Sequence, residues 1–129
     1  ILGSDTVVAA DGKILGKPKS HEEAYEMIRR LAGRSHQVYT GVCLVKKGPE
    51  GEADTVVSFY DETDVNVSPM TEKEIREYAD SEEPMDTAGS YAVQGFFARY
   101  IDGLKGSYAN VMGLPVHLVY QELKKLGAL

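Results

Sequence analysis

Residues 83–108 read EPMDTAGSYAVQGFFARYIDGLKGSY and pass directly into ANVMGLP at residues 109–115. Pro84, Gly89, Gly95, Gly103 and Gly106 break this stretch at close intervals, with single polar side chains set between aromatics. Glycine outside a regular element marks a backbone that bends sharply or lies close to a ligand. Gln94, beside Gly95, carries donor and acceptor on one amide, which suits reading a planar hydrogen-bonding edge. The same stretch also suits a glycine-rich hairpin with a buried, self-satisfied glutamine. Within it, Phe96–Asp102 reads as a strand and Gly103–Gly106 as its turn.

On either side of this stretch the chain alternates in hydrophobic period. Thr71–Ala79 reads as a helix with a capping box, Thr71 and Glu74, and with Ile75, Tyr78 and Ala79 inward. After Gly113-Leu114-Pro115 a closing helix turns Val116, Val119, Leu123 and Leu126 inward, starts on Pro115 and stops at Gly127. Upstream, Gln37–Val45 and Thr55–Val67 read as paired strands joined by the polar loop KKGPEGEAD. The second strand alternates Val57, Phe59, Val65 and Val67 with Ser58, Tyr60, Asp64 and Asn66. The first is apolar on both faces and so belongs inside a sheet. The acidic run Asp61, Glu62 and Asp64 reads as a solvent-facing edge. Ser20–Arg30 is a helix with Ser20 and Glu23 at its cap and Ala24, Met27, Ile28 and Leu31 on one face.

The first ten residues, ILGSDTVVAA, read as a buried strand interrupted by Ser4, Asp5 and Thr6. A carboxylate among β-branched residues is costly unless it is paired, hydrogen-bonded or metal-bound; it also suits the cap of a turn at a strand end. Asp11-Gly12 is a turn signal, followed by the short return Lys13-Ile14-Leu15. Lys17 is held between Gly16 and Pro18, a setting that aims an ammonium at phosphate or leaves it solvated. No GxxxxGK[ST] or GxGxxG motif occurs. His36 has no second His or Cys at ligand spacing and reads as structural.

With 129 residues, 43% hydrophobic and 26% charged, the chain is one domain with a real core. A net charge of −6 argues against broad capture of nucleic acid. No apolar run reaches the ~20 residues that span a bilayer. One cysteine, Cys43 in an apolar run, excludes a disulfide framework, reads as a quiet buried thiol and fits a reducing cytoplasm. The chain opens on Ile1 rather than Met, the mark of a fragment or a processed product.

Three blocks taken together resemble the Maf family of septum-formation-inhibitor-like nucleoside triphosphate pyrophosphatases. They are Gly3-Ser4-Asp5-Thr6-Val7-Val8 with Gly16-Lys17-Pro18; Leu31-Ala32-Gly33 through His36-Gln37-Val38-Tyr39-Thr40-Gly41-Val42; and Glu83-Pro84-Met85-Asp86 through Gln94-Gly95, closing on Gly113-Leu114-Pro115. The resemblance implies an α/β fold, a mixed and largely antiparallel sheet flanked by helices around a nucleotide cleft, related to the inosine triphosphatase architecture. It implies hydrolysis of nucleoside triphosphates to the monophosphate and pyrophosphate with a divalent metal, Mg²⁺ or Mn²⁺, in the cytoplasm. By position, Asp5 resembles the catalytic carboxylate, as proton acceptor or metal ligand, and Lys17 a phosphate-binding lysine. Thr6 and Gln94 resemble the residues that select the base. Thr and Gln at these positions favour the branch acting on dTTP and UTP over the branch acting on 7-methyl-GTP.

Two departures accompany the match. Thr87 stands where many members have Lys. The family's leading segment, with its strand, helix, Ser-x-Ser-Pro-Arg-Arg phosphate loop and a metal-binding glutamate, has no counterpart in these 129 residues. Residues 1–129 therefore resemble the later part of one such domain, and the bare sheet edge this leaves is expected to be covered by a second copy, as a homodimer, or by a separate chain. The alternative function is a non-catalytic nucleotide-binding or division-regulating module that keeps the fold without the loop. A third, an RNA-binding KH-type domain, rests on Gly103-Leu104-Lys105-Gly106 alone and is opposed by the acidic balance.

Overall fold

The computed structural model describes all 129 residues, as one antiparallel sheet with helices against one face. The strands are β1 (Leu2–Ala10), β2 (Lys13–Leu15), β3 (Ser35–Lys46), β4 (Thr55–Val67) and β5 (Ile101–Lys105), in the order β2-β1-β3-β4-β5. The helices are α1 (His21–Leu31), α2 (Glu72–Ala79), α3 (Tyr108–Met112) and α4 (Val116–Lys125). Local chemistry accounts for most of these boundaries. Asp11 and Gly12 both take positive φ, 51° and 76°, the requirement of the tight turn that returns β1 into β2. Ser20 caps α1 by accepting from Glu23 N at 3.1 Å. Thr71 and Glu74 form a complete, reciprocal capping box on α2.

β3 and β4 pair over their full length, from Ser35 opposite Asn66 to Lys46 opposite Thr55. β3 lies in the middle of the sheet, with β1 on its other side. The period of two then divides the sheet sharply. On one face Val8, Ala10, Val38, Val65 and Val67 are buried together with Ile28 and Leu31 of α1, Ile75 and Tyr78 of α2, and Tyr91 and Phe97 of the glycine-rich stretch. A smaller cluster, Val42, Leu44 and Val119, continues that face under α4. The other face carries Asp5, Gly41, Val56, Tyr60 and Glu62, all exposed, and no helix packs on it.

Several expectations change. β1 is not a buried strand: Leu2–Asp5 are exposed, and Val8 and Ala10 alone are buried. The reason is pairing as well as patterning. β2 reaches only Val8–Ala10, so the outer edge of β1 is open ahead of Val8. β3 is apolar on both sides, but its second face, including Cys43, is only partly covered. Phe96–Asp102 is not one strand. Phe96–Tyr100 form a 3₁₀ turn, because the carboxylate of Glu83 takes the Phe96 and Phe97 N–H groups that a ladder would use. Gly103 lies within β5, so residues 103–106 are not a loop, and the bend falls at Gly106, φ 131°. In α4, Val116 is 56% exposed and Val119 takes the inward position.

Candidate functional site

The glycine-rich stretch does not fold as a hairpin. It runs as three short 3₁₀ turns, Glu83–Asp86, Ala88–Ser90 and Phe96–Tyr100, laid over the helix-covered side of the sheet. Two glycines make this path possible. At Gly89, φ is 72° and an added Cβ would sit 2.8–2.9 Å from the Val8 side chain. At Gly95, an added Cβ would fall 1.9 Å from Glu83 Oε1. Glu83 is the anchor: Oε1 accepts from Phe96 N at 2.8 Å, and Oε2 accepts from Tyr78 Oη at 2.5 Å and Phe97 N at 3.3 Å. Burial, then the neighbouring carboxylate, push the Tyr78 phenol far above its ordinary value, so it remains a donor to Glu83. Ser90 also takes positive φ, 70°, and is fully buried with its hydroxyl on Met27 Sδ at 3.0 Å.

Between this stretch, β1 and α3 lies a cavity of about 270 Å³. Thr6 and Val8 line it from β1, Val38 from β3, residues 86–88 and 91–94 from above, and Val111, Met112 and Gly113 from α3 and its end. Its one charged lining residue is Asp86; no Lys or Arg takes part. At the small end of ligand pockets, and without a cation, it suits a flat neutral group rather than a phosphate chain. Gln94 is exposed and lines this cavity, so it is not the buried, self-satisfied glutamine that the hairpin reading would give.

Beneath the cavity runs a chain of polar groups. Thr6 Oγ1 and Thr40 Oγ1 are 2.9 Å apart, Thr40 donates to Asn110 O at 3.0 Å, and Thr6 Oγ1 lies 3.5 Å from Gly113 O. Asn110 Nδ2 donates to Val38 O at 3.1 Å and Thr63 Oγ1 at 3.0 Å. Thr63 in turn donates to Ser107 O at 3.1 Å. On the same covered face, buried His36 holds Tyr91, a cavity wall, through Nε2 and the phenol oxygen at 2.6 Å. Burial lowers the His36 pKa from 6.5 to about 4, so the imidazole is neutral at pH 7. That agrees with a structural histidine.

Sequence reading did not single out Glu83, Thr40 or Asn110. Thr40 carried a signal, a hydroxyl between the inward Val38 and Val42 in a period-two run. Asn110 carried none, because Thr63, Thr40 and Val38, which it meets, lie 47 to 72 residues away in the chain.

Of the four expected site residues, the structure brings Thr6 and Gln94 together in one cavity. Asp5 does not line it. Strand alternation places Asp5 on the open face, in a shallow depression with Gly41, Cys43 and Ser58. Lys17 is exposed on the connection from β2 to α1, and the Gly16 carbonyl before it accepts from Gly89 N at 3.1 Å, beside the cavity wall at Ala88.

The family model described as Maf-like protein matches residues 1–126. The chain belongs to the Maf family. Relatives of this Maf chain carry the name dTTP/UTP pyrophosphatase: in Agathobacter rectalis 52% identical over 98% of the chain, in Lachnoclostridium phytofermentans 48% over 98%, and in Carboxydothermus hydrogenoformans 47% over 98%. The chain spans less than two thirds of the length of these relatives, 62%, 64% and 66%.

The donors of this Maf chain do not by themselves form a metal centre. No three His, Cys, Asp or Glu side chains converge anywhere, and Asp5 stands as a single carboxylate. Magnesium is often held by one or two carboxylates with the rest of its shell from substrate phosphates and water, so Asp5 could supply one ligand of such a shell and no more.

Proposed function

We propose that this chain is the nucleoside-recognising part of a nucleoside triphosphate pyrophosphatase that cleaves dTTP, UTP or related pyrimidine nucleotides to the monophosphate and pyrophosphate. The observation that carries the reading is the meeting of Thr6 and Gln94, 88 positions apart, in a small cavity without a cation. A neutral amide and a hydroxyl in a mostly apolar slot fit the mixed donor and acceptor edge of uracil or thymine. The names of the three relatives agree with this substrate class, and none of them points to the non-catalytic module.

In this reading Asp5 accepts the proton of the attacking water or ligates a divalent cation, Mg²⁺ or Mn²⁺, and Lys17 binds phosphate. Asp5 and Thr6 are consecutive, so their side chains leave β1 on opposite faces about 3.3 Å apart along the strand. Because the outer edge of β1 is unpaired at this step, a nucleotide with its base against Thr6 has a route around that edge to the Asp5 side. The open edge also accounts for the proposed homodimer, since unpaired strand edges recruit a further strand. No helix is long and apolar enough to cross a membrane, and a cytoplasmic setting belongs to the proposal.

The test is pyrophosphate release from dTTP and UTP, by the 129 residues alone and by a version extended upstream to the length of its relatives. The extended form is expected to turn over and the chain alone to bind nucleotide with little or no turnover, because one ammonium cannot stabilise the leaving phosphates as a pair of guanidiniums does. Absence of turnover in the extended form would overturn the reading. Equal rates would show instead that no further phosphate-binding group is needed.

A further inference from the structure

Gln94 by itself cannot separate a uracil edge from a cytosine edge. Its amide rotates by 180° at little cost, presenting donor or acceptor at either end. Discrimination between the two needs a partner whose polarity is fixed, and the hydrogen bonds under the cavity supply one. Thr40 Oγ1 has one hydrogen and two neighbours, Asn110 O at 3.0 Å and Thr6 Oγ1 at 2.9 Å. If Thr40 donates to the carbonyl, which can only accept, Thr6 donates to Thr40. If Thr40 donates to Thr6, the Thr6 hydrogen turns to Gly113 O at 3.5 Å. In both arrangements the Thr6 hydrogen is held inside the protein, and its oxygen offers the cavity an acceptor. The first uses two short bonds in place of one short and one long, and is the stronger.

We infer that Thr40, oriented by the Asn110 carbonyl, is a specificity-determining positioning residue: it fixes Thr6 as an acceptor, so the cavity selects a pyrimidine whose ring nitrogen carries hydrogen. Uracil and thymine present N3–H; cytosine presents a bare N3 acceptor, which would face the Thr6 oxygen lone pairs. Asn110 is held for this task from its other end. Its side-chain amide is spanned between Val38 O and Thr63 Oγ1, and the Thr63 hydrogen is itself committed to Ser107 O. The direction of each hydrogen in the chain is therefore set by protein acceptors and not by the ligand. Thr40 is fully buried and does not line the cavity, so it acts through Thr6.

The inference rests on the cavity receiving the base, and binding of uridine and cytidine 5′-triphosphates to the chain separates the two claims. The wild type is expected to prefer the uridine nucleotide. In Thr40→Val, nearly the same shape without the hydroxyl, the Thr6 hydrogen loses its short acceptor and keeps only the long 3.5 Å contact to Gly113 O, too weak to hold it against a ligand, so the uridine-over-cytidine ratio should fall about tenfold, the scale of one neutral hydrogen bond. Thr40→Ser keeps the hydroxyl and should keep the ratio. Thr40→Ala, expected to behave as Thr40→Val, replaces it if the valine variant does not fold. A wild type that binds neither nucleotide, or both equally, overturns the cavity reading and this inference with it. A wild type that prefers uridine, with the ratio unchanged in Thr40→Val or Thr40→Ala, overturns the role of Thr40 alone.

Discussion

Asp5 and Thr6 are neighbours in the chain and belong to two different environments. Thr6 faces the side of the sheet on which α1, α2, α3 and the glycine-rich stretch pack, and its hydroxyl lies within reach of Thr40 Oγ1 and Gly113 O. Asp5 faces the side that nothing covers, beside Gly41 and Cys43. On the covered face Gly89 and Gly95 sit where a methyl group would collide, and the chain encloses a cavity of about 270 Å³. The open face has the reactive residue type and none of the surroundings that would tune it. In the proposed function, recognition and chemistry are divided across this single strand, and the unpaired edge of β1 is the place where they meet.

The division predicts that a change on the open face alters turnover without altering the fold, and that changes on the covered face alter stability or base selectivity. The largest effect is expected at Asp5. In the extended protein, Asp5→Asn should lower turnover about 10²–10⁴-fold, the range of a lost general base. Its unfolding transition should match the wild type, because the residue is exposed. Near-normal pyrophosphate release in the variant would end the assignment.

On the covered face, His36 should make the fold acid-sensitive. Its folded pKa, about 4, lies below the unfolded 6.5. The unfolded chain therefore binds the proton first. Stability is intact above pH 6.5, declines as the pH falls, and levels off near pH 4. The total loss is about 3–4 kcal/mol, from a pKa that falls from 6.5 to about 4 at about 1.4 kcal/mol per pH unit. Denaturant titrations of the wild type and His36→Gln across pH 4–7 should show this decline in the wild type alone; parallel curves would remove His36 from the account.

Gly89→Ala should cost about 2 kcal/mol, since the new methyl meets Val8 at 2.8–2.9 Å in a left-handed backbone. Exposed Gly3 meets nothing within 4 Å, so Gly3→Ala is its control. Equal midpoints for the two variants in thermal melts would show that the stretch relaxes freely.

The smallest effect concerns selectivity. Gln94→Glu should shift preference about tenfold from dTTP or UTP toward 7-methyl-GTP, because a carboxylate accepts from guanine N–H groups and opposes the methylated ring's positive charge. A native protein that already prefers 7-methyl-GTP would overturn the branch assignment.

The elements themselves were legible in the residues. Period-two runs gave β3 and β4 within two residues of their ends, the Ser20 and Thr71 caps gave the starts of α1 and α2, and Asp11-Gly12 gave the first hairpin. These are local matters of backbone preference and side-chain period, and a few neighbouring residues suffice to decide them. The resemblance of the three blocks likewise gave the family and named Thr6 and Gln94 before they were seen to share a cavity. Local pattern misplaced Phe96–Asp102, because the aromatic run reads as a strand while the carboxylate that diverts its N–H groups, Glu83, lies more than ten residues upstream. It also took β1 to be buried, because an apolar run records affinity for a core but not whether anything packs on both faces. Which side of the sheet Asp5 meets and which groups surround the Thr6 hydroxyl were decided only in three dimensions. Each depends on contacts between segments far apart in sequence, and hydrogen-bond direction is set by the whole ring of partners rather than by any one of them.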